Sequence, residues 1–110
     1  MPVPAEALEP VPHFTAEGLK SYDVAPTGRA KCMICSECLP VGTYRLSYRI
    51  RVSMAMEHCR RLHPACAPGL PIAGPGRAAS IVWLRHMLAD DGKSLMDIAM
   101  LRSVLDALQA

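Results

Sequence analysis

The sequence predicts a small α+β domain, a short antiparallel sheet plus a short helix, followed by a C-terminal helical hairpin. Three observations carry that expectation. Two pairs of ligand-type side chains, Cys32 with Cys35 and His63 with Cys66, bracket the middle of the chain. Between them runs an apolar–polar alternation, with Tyr44, Leu46, Tyr48, Ile50 and Val52 on one parity and Arg45, Ser47, Arg49 and Arg51 on the other. Beyond them, two stretches of helical spacing are joined through Asp90-Asp91-Gly92.

With 110 residues the chain has one domain and room for tails, and a core that small is marginal without a further staple. The ligand pairs would supply it. Cys-Met-Ile-Cys puts two thiols on one tight turn, and His-Pro-Ala-Cys sets an imidazole near a third thiol, which is the nitrogen and sulfur set of a tetrahedral zinc. One structural zinc on Cys32, Cys35, His63 and Cys66 is the expected cofactor, because protein fills every position and leaves none for water. Cys59 competes for a place. If residues 54–62 are helical, Cys59 and His63 fall at i and i+4 and Cys59 can replace Cys66, with His58 a weaker contender. Otherwise Cys59 reads as buried and inert. Cys38 reads as a small packed residue, although Cys-x-x-Cys-x-x-Cys leaves it open as a substitute ligand.

The organisation follows from breakers and periods. Residues 1–19 contain Pro2, Pro4, Pro10 and Pro12 with no sustained pattern and read as a disordered lead-in, from which Phe14 and Leu19 can dock. Residues 20–67 form the metal module: Tyr22 and Val24 suit a first strand, Pro26 and Gly28 a turn, and residues 44–52 the clearest strand. Ser53 suits the cap of a helix over residues 54–62, which Pro64 ends by disfavouring helical geometry at His63. Residues 68–77 are a Pro/Gly linker. Residues 78–110 are the hairpin, with Ile81, Trp83, Leu84, Met87 and Leu88 on its first helix and a stop at Gly92. Ser94 and Asp97 make a capping-box-like start to the second, whose stripe is Leu95, Ile98, Leu101, Val104, Leu105 and Leu108. Two such helices bury too little alone, so they pack on the metal module or pair with a partner chain or a second copy.

Charge is unevenly placed. The net charge is +2, yet residues 20–67 carry +5 and the remainder −3. Such asymmetry suits a polyanionic partner. Arginines at alternate strand positions lie about 7 Å apart, the scale of phosphate spacing, and the same row reads equally as a solvated face. The odd cysteine count and the absence of a charged start followed by an apolar run speak against secretion and a disulfide framework, and no apolar stretch suggests a membrane span. An intracellular protein is expected. There is no phosphate loop, nucleophile elbow or carboxylate pair, and His13 and His86 fall in the lead-in and a helix, so the expectation is a non-enzyme.

Tyr22-Asp23-Val24, the run from Gly28-Arg29-Ala30-Lys31-Cys32 through Cys35 and Leu39-Pro40 to Tyr44-Arg45, and His63-Pro64-Ala65-Cys66 resemble the PARP-type zinc finger. That finger recognises DNA breaks in poly(ADP-ribose) polymerases and a DNA ligase, and the resemblance covers residues 20–67. It implies Cys32, Cys35, His63 and Cys66 as zinc ligands and Arg29 and Arg45 as phosphate-contacting arginines. The partner it implies is DNA, held by its backbone with low sequence specificity, at ends or breaks, in the nucleus. Arg49 and Arg51 extend the contact set along the strand. Where the family carries an aromatic pair before the ligand histidine, this chain has Arg61-Leu62; only Met54 and Met56 lie where the family has its base-stacking loop, and Pro64 sits inside the ligand pair. The alternative is a zinc-stabilised protein-interaction adaptor or dimerisation module that uses residues 78–110, with the arginines a solvated face.

Overall fold

A computed structural model describes residues 17–51, 56–71 and 75–110. Three strands, β1 (Glu17–Val24), β2 (Tyr44–Arg51) and β3 (Glu57–Leu62), form an antiparallel sheet in that spatial order. A 3-10 turn at Pro64–Gly69 follows, then the hairpin of α1 (Pro75–Ala89) and α2 (Leu95–Gln109). The expected fold class is the one that forms.

The alternation in β2 holds. Leu46 and Tyr48 are buried on the side that meets the helices, and Val52 lies outside the described residues. β1 joins β2 with an irregularity: Tyr48 pairs with Leu19 and Ser47 with Ser21, so Lys20 has no opposite number. Because side chains alternate along a strand, this one-residue bulge shifts the parity. Leu19 and Tyr22, three apart in sequence, therefore both pack in or against the core. β1 also starts at Glu17, inside the stretch expected to be lead-in.

The expected helix over residues 54–62 is corrected. Glu57–Leu62 is a strand, pairing with β2 from Arg51 opposite Glu57 to Leu46 opposite Leu62. Ser53 and Met54 lie outside the described residues. Only Leu62 of this strand is buried, so the segment shows no alternation, and pairing with β2 overrides its local helical preference.

One core joins both halves of the chain. Leu19, Leu46, Tyr48 and Leu62 of the sheet meet Leu84 of α1, Leu101, Val104 and Leu108 of α2, and Ala67 and Leu70 around the 3-10 turn. The hairpin thus packs in cis. Buried Ser80 ties it to β1: its hydroxyl donates to the Gly76 carbonyl at 2.6 Å and accepts from the Leu19 amide at 3.0 Å. α1 begins at Pro75, within the expected linker, because a proline in the first turn forfeits no helical hydrogen bond. Its Gly76 is required by packing, since a Cβ there would lie 1.8 Å from the Tyr48 hydroxyl. That hydroxyl lies 3.1 Å from Glu17 Oε2, to which it donates. At the start of α2, Ser94 accepts from the Asp97 amide at 3.1 Å as a cap should. The Asp97 carboxylate binds the sheet, accepting from the hydroxyls of Tyr22 and Tyr44. Among the described residues, no helix is long and apolar enough to cross a membrane.

Candidate metal centre

The first ligand pair is built on the end of β3. Cys32 forms a parallel bridge with Arg61, and the Met33 amide donates to the Arg61 carbonyl at 2.8 Å. The chain then doubles back, with the Ser36 amide donating to the Cys32 carbonyl at 2.9 Å and Ser36 in the left-handed region at φ 68°. This turn brings Cys35 beside Cys32. For the second pair, Pro64 restricts His63 to extended backbone, φ −68° and ψ 141°. The Cys66 amide then donates to the His63 carbonyl at 3.0 Å, placing ring and thiol together.

The ligand atoms of Cys32, Cys35, His63 and Cys66 all lie within 4.8 Å of one another. Nδ1 of His63 is 3.4 Å from Cys35 Sγ and 3.6 Å from Cys66 Sγ. Its other nitrogen, Nε2, is 3.0 Å from the Cys38 carbonyl oxygen. A carbonyl only accepts, so Nε2 carries the proton and Nδ1 presents its lone pair to the thiols.

Electrostatics divides the thiols. Burial works against ionising Cys32, but hydrogen bonds to its sulfur, among them the Ile34 amide at 3.4 Å and the His63 amide at 3.5 Å, outweigh it and bring the thiol down to about 6. Burial and the neighbouring Cys35 and Cys32 push Cys66 up to about 12. The Cys32 thiolate is thus ready, and a cation among the sulfurs is what lets Cys66 follow. The group is positioned to hold one metal ion.

The other cysteines stand apart. On a strand, Cys59 loses the i, i+4 relation to His63, and it is exposed, neither a ligand nor buried as expected. Cys38 is also exposed where packing was expected, and it serves the site through its carbonyl. His58 is exposed on β3 and outside the ligand group.

The arginines fall into several environments. Arg29 is exposed, shortly before the first ligand. Arg45 is buried, its Nε and Nη2 donating to Oδ1 and Oδ2 of Asp23 at 2.7 and 2.9 Å. This pair holds the Asp23 carboxyl below its ordinary range. Arg49 Nε lies 3.2 Å from Glu57 Oε1, and Lys20 Nζ 3.3 Å from Glu57 Oε2. Arg51 belongs to β2, and its side chain lies outside the described residues. Arg61, opposite Ser47, shares the face of Arg45 and Arg49, and its Nε is buried without a hydrogen-bond partner. Reading β3 as a helix hid that placement; strand parity from Leu62 reveals it. Among the described residues, none on this face belongs to the core.

No family model matches the chain, and neither the curated proteins nor the solved structures give a significant match. Fold and site together define a small α+β domain built around a group of three cysteines and one histidine positioned for a single metal ion.

Proposed function

We propose that the chain is a zinc-stabilised nucleic-acid-binding module of the PARP-type finger kind, which grips DNA backbone phosphates with little regard for sequence. Three thiolates and an imidazole suit zinc over harder cations, and a site whose every position is protein serves structure, in keeping with a binding module that is not an enzyme. The observation that carries the nucleic-acid reading is the sheet face turned away from the core, where Lys20, Arg45, Arg49 and Arg61 outnumber Asp23 and Glu57. Exposed Arg29 and Lys31 add charge beside the first ligand. Guanidinium groups bind phosphate in a two-point fashion that positions a backbone without reading bases. With DNA as the partner, the nucleus is the matching location, and ends or breaks are the target the finger resemblance favours. A second reading, a protein-interaction adaptor, is favoured by Leu95 and Met96, which are 85% and 72% exposed at the start of α2.

Zinc content of the purified protein, followed by fluorescence-anisotropy titration of nicked, blunt-ended and closed duplex at two salt concentrations, tests the proposal. One equivalent of zinc, salt-sensitive binding, and its loss in an Arg29→Glu, Arg49→Glu variant are expected. Zinc without binding to any duplex at low salt would transfer the weight to the adaptor.

A further inference from the structure

The Asp23–Arg45 pair is lopsided in its exposure. The Arg45 side chain is 10% exposed and the Asp23 side chain 49%, so the carboxylate sits at the rim, partnering the guanidinium from its solvent side. Both carboxylate oxygens engage one guanidinium edge, at 2.7 and 2.9 Å, the two-point geometry that two oxygens of a phosphate also adopt. The neighbourhood is more cationic than one carboxylate neutralises: Arg61 also acts on Asp23, and its buried Nε has no hydrogen-bond partner. Ser47, small and opposite Arg61, separates Arg45 from Arg49 along β2.

We propose that Asp23 is a built-in competitor for nucleic-acid phosphate: its carboxylate occupies the Arg45 edge, and a backbone phosphate binds there by displacing it into solvent. This rests on the nucleic-acid reading above. The exchange replaces one anion with another, so Arg45 stays paired throughout, which is how a largely buried guanidinium takes part in binding. The half-exposed carboxylate needs little movement to reach water.

The test uses anisotropy titration of a labelled blunt-ended duplex against the wild-type protein, Asp23→Asn, the charge-matched control Glu37→Gln, and the double variant Asp23→Asn, Arg45→Gln. Zinc content and cooperative thermal unfolding are checked for each. Asp23→Asn is expected to bind about tenfold tighter, the scale of one charge-assisted hydrogen bond. Glu37→Gln should change affinity far less, and the double variant should lose the gain. Binding by Asp23→Asn where the wild type shows none would support the proposal in its extreme form. Equal tightening by Glu37→Gln, or a gain that survives in the double variant, would reduce the effect to net charge and overturn it. Wild-type binding with no tightening in Asp23→Asn would overturn it and leave the nucleic-acid reading intact; no binding by either protein would sink both. If Asp23→Asn loses metal or cooperative unfolding, Asp23→Ser carries the same comparison, and loss in both would make Asp23 a structural counter-ion.

Discussion

His63 donates its Nε2–H to the carbonyl oxygen of Cys38 at 3.0 Å, across 25 residues of sequence. This bond fixes the tautomer that aims Nδ1 at the thiols and gives Cys38 a backbone role. Cys38→Ser and Cys59→Ser should therefore each keep one equivalent of zinc, and Cys66→Ser should not. Zinc release to a colorimetric chelator, and the thiolate-to-metal absorption of the cobalt form, would check this. Because metal binding in small zinc domains contributes on the order of 10 kcal/mol, a strong chelator should unfold the wild-type chain, read by circular dichroism.

The contact of Gly76 with Tyr48 leaves no space for a methyl group. Gly76→Ala should cost about 1–3 kcal/mol, as overpacking of a closed core does. A Cβ would lie 1.8 Å from the hydroxyl oxygen but 3.0 Å from the ring carbon that bears it. Tyr48→Phe should accordingly recover part of the loss, and a double-mutant cycle from denaturant melts would show coupling.

Ser80 satisfies two backbone groups at once. Ser80→Ala removes the acceptor for the Leu19 amide within a buried setting and should cost about 1–3 kcal/mol. Hydrogen exchange at the Leu19 amide should accelerate more than global destabilisation explains.

Stability should fall at both ends of the pH range. The carboxyls of Asp23, held down by Arg45, and Asp97, held down by Tyr44 and Tyr22, ionise more readily in the folded chain. Their contribution is complete above the ordinary value of 3.8 and lost as pH falls through the lowered ones. Burial first, then Asp97 and Glu17 respectively, push Tyr22 and Tyr48 up to about 12 from 10. Their contribution is complete below pH 10 and lost as pH rises towards 12. With a metal ion holding the ligand thiols as thiolates, their protonation adds to the acid limb, and the tyrosines are read on the alkaline limb of the metal-loaded protein. Urea midpoints measured from pH 8 to 12 should decline less steeply in Tyr22→Phe.

Much of this was legible because the residues concerned encode local rules. The ligand pairs, the β2 alternation, the Ser94 cap and the stop at Gly92, which sits at φ 93°, all lie in short stretches whose physics needs no distant partner. What escaped depended on tertiary context. β3 is an edge strand with one buried side chain, so nothing in residues 57–62 alternates, and only pairing with β2 makes it a strand. The bulge at Lys20 breaks the period that would have extended β1 back to Glu17. Pro75-Gly76 reads as linker until Tyr48 is known to rest on it. The alternation places Arg45 on the outer face of β2, but its pairing with Asp23 is visible only through the register.

The 3-10 turn Pro64–Gly69 gives Cys66 to the ligand group and Ala67, fully buried, to the core, while Leu70 just beyond it is buried in the same core as the helices' leucines. The constraint this imposes is one of chain length. Between thiol and core leucine the backbone works as a ruler: an inserted residue would leave His-x-x-Cys readable in sequence yet carry Leu70 out of register with the helices. Relatives of this chain should therefore diverge freely at exposed Ala65 and Pro68 while keeping the count from Cys66 to Leu70 unchanged.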